Sequence, residues 1–498
     1  MLRPEVPDWP LSKRLAWVAA FRRAVAANIE PLAAEVQADT GKPVWQTIAS
    51  DLLPLLAACK WHERRAKKVL RPRGLKGRPL WLASTKPVET RAPVGSVAII
   101  ATWNYPLQLL GVQLVQALVA GNSVTVKPSE RAPRSQAMLL ELAQAPSDRR
   151  RLPAGALSVV DATREAGEAL LRDNNFDHVV FTGSTGVGRE IAQALAPSLT
   201  PSTLELSGRD SAFVLADADC KRAAAALWQA LTVNAGQTCM APRRVLVERS
   251  ALAAFEQALA PFAAGARPVR LIDAAAASRT FSLCEQAIAA GGRSLSGLAE
   301  PPVGRDLRPL AIVDCPADAD LVAGEHFGPA FAVVPVDSVD QAIDIHRRCD
   351  QHLATSIFTR SNRRARSLAP RLGVAAVTVN DCVLPTAHPA VPVGGIGASG
   401  WGHSQGEQGL RAVTHAVTVS RTGAIRPPAD PPSPARAQQM ARAARFLYGG
   451  HRGKKLSSPR PASQPATTSA EQPPQAPVTS ASDPAPSTET ANSSGGLA

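Results

Sequence analysis

Apolar positions in the first seventy residues recur at spacings of three and four. LSKRLAWVAAFRRAVAANIEPLAAEVQADTG (11–41) shows this most clearly and stops at Gly41. Such spacing lays one apolar stripe along a 3.6-residue period, so residues 11–70 are predicted to be helical, with Gly41 ending a helix. From about residue 94 the texture changes. Short β-branched runs, VGSVAII (94–100), SVTVK (123–127), ALSVV (156–160) and DHVVFT (177–182), alternate with helical segments at 105–120, 132–144 and 164–172. Strand and helix in alternation predict βαβ units around a parallel sheet. A second set follows: SAFVL (211–215), a helix at 221–234, RRVLVE (243–248), FAVVPV (331–336), TSIFTR (355–360) and AAVTVN (375–380). The fold class is therefore α/β with two such units, and the boundary falls near 207–212.

The flanks differ. TKPVETRAPV (85–94) and RAVTHAVTVSR (411–421) alternate as edge strands do. Residues 456–498 contain no aromatic residue and are dominated by Pro, Ser, Thr and Ala, so the tail is expected to be disordered. Residues 434–450 fit one short amphipathic helix before it. The expected divisions are 1–84 (helices belonging to the first α/β unit), 85–94, 95–210, 211–404, 405–423 and a tail at 424–498.

Length and composition narrow the function classes. A chain of 498 residues, 45% apolar, exceeds one ordinary core. The longest apolar stretch, 105–121, is interrupted by glutamines and reads as a buried helix, not a membrane span. No secretory signal is visible at the N-terminus. Seven cysteines without CxxC or Cys/His metal spacing suggest free thiols in a reducing, cytoplasmic setting and no metal site. The net charge of +14 invites a nucleic-acid role. Much of it is local: residues 60–91 hold eleven Lys or Arg against two Glu. With aromatics at 4% and no base-stacking motif, a solvated helix face is the simpler reading.

Several short stretches carry candidate chemistry, and each has a bland alternative. FTGSTGVGR (181–189) runs from a strand through a Gly-rich turn into a helix. Gly183 suits the turn, and Ser184 stands at a helix N-terminus where a phosphate is favoured; a purely structural turn fits equally. TVKPSE (125–130) ends a strand, where ligands bind open α/β sheets. Lys127 and Glu130 fit ribose hydroxyls there, or are simple surface charges. ATWNYPL (101–107) offers Trp103 for a cleft and Asn104 as an oxyanion donor, or a core residue and a helix cap. In TLELSGRD (203–210), Glu205 is either a buried general base or the outward residue of an edge strand. Cys239, in NAGQTCMAP (234–242), is either a nucleophile or a small core residue. GEHFGP (324–329) by itself is a turn.

Taken in order, TWNYP, AGNSVTVKPSE, FTGSTGVGR, LELSG, NAGQTCMAP, GEHFGP and PVGGIGASGWG (392–402) resemble the aldehyde dehydrogenase superfamily across roughly residues 90–420. TWNYP is similar to its class 3-like branch of fatty and aromatic aldehyde dehydrogenases. The resemblance implies two Rossmann-like doubly wound parallel-sheet domains, cofactor-binding at 95–210 and catalytic at 211–404. It implies oligomerisation arms at 85–94 and 405–423, with a homodimer or tetramer as partner state. It also implies oxidation of a small-molecule aldehyde to an acid with NAD or NADP. Cys239 would be the nucleophile, Asn104 the oxyanion donor and Glu205 the base. Trp103, Lys127, Ser129, Glu130, Gly183, Ser184, Gly188, Leu206, Glu325 and Phe327 would bind the cofactor. No specific nucleic acid, metal or transmembrane anchor is implied. Ser207 and Arg209 depart from the family's usual glycine and lysine, and 250–310 is short and Ala-rich. A CoA-acylating member of the fold and a non-catalytic scaffold are the alternatives; Glu205 speaks against the first.

Overall fold

The protein is described from a computed structural model covering residues 9–173, 175–297, 300–423 and 433–448. Contacts divide the chain into two units, Met1–Ile425 and Arg426–Ala498.

The first unit is built on two large sheets. The strands expected at 94–100, 123–127, 156–160 and 177–182 form at Ser96–Ile100, Ser123–Lys127, Leu157–Val159 and His178–Thr182, joined by Ser202–Glu205. All are parallel, and their order across the sheet, counted along the chain, is 5-4-1-2-3. The winding reverses between Ser96–Ile100 and His178–Thr182, so loops leave their carboxyl ends in opposite directions and open a crevice. Helices cover both faces, which is why these strands read as continuous apolar runs. On one face Trp17, Phe21, Leu55 and Leu114 pack with Val97, Ile99, Val124 and Val126. On the other, Leu170, Ile191 and Leu195 pack on Ala98, Ile100, Val179 and Phe181. Alternate residues of one strand thus feed two cores, as the two-residue period of a strand requires.

The second sheet has seven strands in the order Arg293–Ser294, Leu310–Val313, Ala330–Val336, Pro242–Glu248, Asp210–Val214, Ala354–Phe358 and Ala376–Val379. Only Arg293–Ser294 runs antiparallel to its neighbour. Cores again lie on both faces, around Phe213, Ile312 and Ile357 on one and around Val245, Val333 and Phe255 on the other.

Three features differ from the sequence expectations. The pair Gly400–Trp401 lies antiparallel to Ser202–Glu205, so the chain rejoins the first sheet within the stretch, 211–404, expected to belong wholly to the second sheet's domain. Two residues among glycines carry no periodic signal. Within 405–423 only Thr414–Thr422 is a strand; Gly406–Ala412 is a short helix that buries Leu410 in the first core. The helix expected from 105 begins at Gln108, leaving 101–107 as a loop.

Thr85–Pro93 pairs antiparallel with Thr414–Thr422 along its length, and Arg73–Gly74 adds a third strand. Among the described residues the far edge of Thr414–Thr422 has no partner strand, and Val417 and Val419 are exposed on it. In the second unit, Pro434–Tyr448 is a helix with every residue exposed. The rest of the expected tail lies outside the described residues. No helix among the described residues is long and apolar enough to cross a membrane.

Candidate active site

The crevice at the winding reversal is a cleft of about 1150 Å³. Trp103, Lys127, Ser129, Glu130, Gly183, Ser184 and Phe327 line it. Lys127 is buried and its ammonium is paired with the Glu130 carboxylate. The Ser129 N–H donates to Gln136 Oε1 at 2.7 Å, and Gln136 Nε2 donates to the carbonyls of Thr102 at 2.8 Å and Pro106 at 3.1 Å. One buried amide thereby fastens two walls of the cleft. At Gly183 a Cβ would sit 2.3 Å from the Phe181 ring, so the turn has room for glycine alone. Ser184 caps the helix Thr185–Leu195, its Oγ accepting from the Val187 N–H at 3.4 Å. The other free amides of that turn, with the helix dipole behind them, present a site for a pyrophosphate.

Two expected cofactor residues sit behind this wall. Gly188 lets the helix approach Leu206, whose Cδ2 would be 2.4 Å from an added Cβ. Leu206 is buried and its N–H donates to Ser399 O at 3.1 Å. Glu325 is exposed in its loop and is not among the lining residues. Phe327 meets Trp103 edge to face, with ring centroids 5.8 Å apart.

The three expected catalytic residues converge from far along the chain. Cys239 is partly exposed and borders an apolar cluster of Met240, Leu353 and Val393. Its loop turns sharply: Asn234, Ala235 and Gly236 have φ of 50°, 54° and 70°. Left-handed conformation at two non-glycine residues is strained and persists only where surroundings hold it. Here the Asn234 N–H donates to Gln46 Oε1 at 2.9 Å, and its Nδ2 donates to Asn104 O at 2.8 Å. Asn104 is itself buried, and its Nδ2 reaches Gln237 O at 3.3 Å, two residues before Cys239. Tyr105 OH lies 2.5 Å from Thr238 Oγ1. The Asn104 carbonyl also accepts from Lys42 Nζ at 2.7 Å. Lys42 pairs with Asp51 at 2.7 Å with both side chains fully buried, and Asp51 takes the Leu107 N–H at 3.3 Å.

Glu205 is buried and so is not the outward residue of an edge strand. Its carboxylate accepts from Ser404 Oγ, and from Thr182 Oγ1 at 3.5 Å. Burial pushes its carboxyl up to about 7, with the two hydroxyls pulling the other way. Burial foremost, with the Glu205 and Asp210 carboxylates adding to it, pushes the Cys239 thiol up to about 12. Glu205 therefore lies within electrostatic reach of the sulfur. Gly208 completes the junction, since a Cβ there would lie 2.5 Å from Cys239 O. Arg209 turns away, to Gln351 Oε1 at 2.9 Å and Asp350 Oδ1 at 3.1 Å.

Lys42, Asp51, Thr182, Asn234 and Ser404, which hold the expected catalytic side chains, and Gln113, whose Nε2 donates to Thr182 Oγ1 at 2.9 Å, escape a sequence reading. A lysine after a helix-ending glycine reads as solvated, and nothing local joins it to Asn104. The sharp turn was better signalled, by Asn-Ala-Gly before the cysteine. Among the described residues no group of His, Cys, Asp and Glu is placed to hold a metal.

The aldehyde dehydrogenase family model matches residues 3–419. The NADP/NAD-dependent aldehyde dehydrogenase PuuC of Escherichia coli strain K12 is 32% identical over 432 residues, 83% of this chain and 84% of its own. Aldehyde dehydrogenase family 3 member A2 of Rattus norvegicus is 29% identical over 82% of this chain and 83% of its own. The crystal structure of a Mycobacterium tuberculosis aldehyde dehydrogenase complexed with NAD+ superposes with a TM-score of 0.76 at 28% identity, covering 83% of this chain and 86% of the other. The chain belongs to the aldehyde dehydrogenase family.

Proposed function

We propose that the protein oxidises an aldehyde to its carboxylic acid with NAD or NADP, through a covalent intermediate on Cys239. The observation that carries this is the convergence of Asn104 and Glu205 on the Cys239 loop beside a cleft at the winding reversal. The cleft fits a dinucleotide: Ser184 and the helix N-terminus suit the pyrophosphate, Lys127 and Glu130 suit ribose hydroxyls, and Gly183 leaves room for close approach. When bound, the cofactor supplies a hydride acceptor. Its support among relatives is an NADP/NAD-dependent enzyme and a structure holding NAD+.

The chain's own groups account for the rest. Cys239 Sγ attacks the carbonyl carbon and its proton leaves. The sulfur is held as a thiol by its surroundings, so a base is required, and Glu205 stands within electrostatic reach with its carboxyl near 7. The oxyanion of the thiohemiacetal is met by the Asn104 side-chain amide and the Cys239 backbone N–H. Loss of hydride leaves a thioester on Cys239. Glu205 releases the thiol proton to solvent and then takes a proton from water, which attacks the thioester; the adduct collapses to the acid and the Cys239 thiolate, and Glu205 returns its proton to the sulfur. Free thiols at all seven cysteines support a reducing, cytoplasmic setting. The open edge of Thr414–Thr422 supports a homo-oligomer.

The test is spectrophotometric. Purified protein with aldehydes of varied chain length and ring content, and with either cofactor, is expected to form reduced nicotinamide, and Cys239→Ser to form none. No signal with any aldehyde, or equal activity in the variant, would refute the proposal.

A further inference from the structure

Arg243 is an uncommon residue for its position. It follows the Cys239 loop on the strand Pro242–Glu248, and its side chain is among the largest that are fully buried. A buried guanidinium is costly unless its N–H groups are satisfied. Here the two terminal nitrogens are aimed at backbone on both sides of a gap, while the buried Nε–H has no partner. Nη2 donates to Gly236 O at 2.8 Å and to Thr238 O at 3.0 Å. Those carbonyls bracket the turn that carries Cys239. Nη1 donates to Gly328 O at 2.9 Å, in the loop of Glu325 and Phe327. The guanidinium carbon also lies 5.5 Å from the centre of the Phe327 ring. The two loops touch directly as well: a Cβ on Gly236 would sit 2.5 Å from Gly328 O.

The charges around the sulfur complete the picture. When ionised, Glu205 and Asp210 oppose a thiolate at Cys239, and burial raises both carboxyls to about 7; the Tyr105 hydroxyl is held un-ionised by burial. Arg243 is the buried cation on this loop: its Nη2 is held to the carbonyl of Thr238, the residue before Cys239, and the Asp210 carboxylate acts on its charge as well. His326, buried with no partner for either ring nitrogen, is kept neutral by burial and by Arg243. Burial brings Arg243 down to about 10, so it remains charged at neutral pH. A fixed positive charge favours thiolate over thiol, against the pull of the two carboxylates.

We propose that Arg243 is a positioning residue that fastens the Cys239 turn to the Phe327 loop and supplies the buried positive charge favouring the sulfur's anionic form. This rests on Cys239 being the nucleophile. It adds a coupling: the loop that buttresses the cofactor and the loop that carries the sulfur move as one body.

The experiment measures alkylation of Cys239 by iodoacetamide between pH 7 and 9.5, on the full chain without cofactor, by mass spectrometry of the Cys239 peptide. Arg243→Met and Arg243→Lys are compared with wild type, with thermal melting as a fold control. In Arg243→Met the rate at pH 8 is expected to fall about tenfold, the effect of a one-unit rise in thiol pKa. Arg243→Lys keeps the charge and is expected to stay within about threefold of wild type, because thiolate fraction follows charge. Both variants lose the bridge to Gly328 and should raise the cofactor KM severalfold. A folded Arg243→Met alkylated at the wild-type rate or faster would overturn the proposal. If that variant does not fold, Arg243→Gln takes its place, and labelling equal to that of Arg243→Lys would overturn it. The two levels of inference separate cleanly. Labelling that follows the charge at 243 without aldehyde turnover by wild type defeats the proposed function and leaves this coupling standing. Cys239-dependent turnover with labelling indifferent to that charge does the reverse.

Discussion

At the scale of single residues, burial decides what each group can do. Glu205 would be an ordinary carboxylate in water. In the site its carboxyl is raised to about 7, so it is half-protonated near neutrality. Turnover limited by thioester hydrolysis should rise with pH through about 7 and then level off, and Glu205→Gln should flatten and depress that profile. Stability carries the opposite sign. The folded state holds the Glu205 proton up to about 7 while the unfolded chain releases it near the ordinary value of 4.5, so stability falls as pH rises across that window. Glu205→Gln should therefore melt higher than wild type at pH 8, by roughly 1–3 kcal/mol, and match it near pH 4.5. Thermal melts at both pH values check this. In the proposed mechanism Asn104 acts before that hydrolysis, where charge develops on oxygen. Asn104→Ala should lower kcat by about 10²–10³, some 3–4 kcal/mol, with much less effect on KM. Steady-state kinetics separate the two parameters.

At the scale of elements, the irregular segments matter most. The loop 101–107 leaves a parallel strand and refuses to join the helix that follows until Gln108. Lys42, buried with Asp51, holds that loop by the Asn104 carbonyl, and the helix carrying Asp51 widens into a π-helical turn at Ile48–Leu52. Such turns often mark functional sites. Lys42→Met removes one partner of a buried ion pair and leaves the other uncompensated. The expected cost is about 3–5 kcal/mol of stability, read by chemical denaturation. The basic run of 60–91 has a milder explanation. Lys60, Arg64, Arg65, Lys67 and Lys68 lie exposed on the helix Leu53–Leu70, and that helix buries Leu55, Cys59 and His62 instead. These cations form an exposed face of that helix, as the solvated-face reading expects.

At the scale of the whole molecule, two sheets enclose the chemistry and a third stands apart. The three-stranded arm presents nine residues of Thr414–Thr422 with one edge unpaired among the described residues. Unpaired edges invite another strand. Sedimentation of wild type should show at least a dimer, and Val417→Lys with Val419→Lys should shift it toward monomer. A wild-type monomer would remove the arm's proposed role.

The sequence by itself determined which segments are strands and helices, because periodicity and turn chemistry act over a few residues. It also determined that Lys127, Gly183 and Ser184 stand at strand ends, and strand ends at a winding reversal face the cleft. The motif order carried the family. Burial was not legible. Glu205 alternates as well in an exposed edge as in a buried strand, and only Gly400–Trp401 closing over it and Ser404 beside it made it a buried acid. Nor could Lys42 or Arg243 be told from surface cations, since Lys42 finds its carbonyl on the Asn104 loop and Arg243 bridges from its own loop to Gly328. Those contacts come from the packing of loops within each α/β unit, which brings Lys42 Nζ within 2.7 Å of Asn104 O and Arg243 Nη1 within 2.9 Å of Gly328 O. No local propensity encodes that distance.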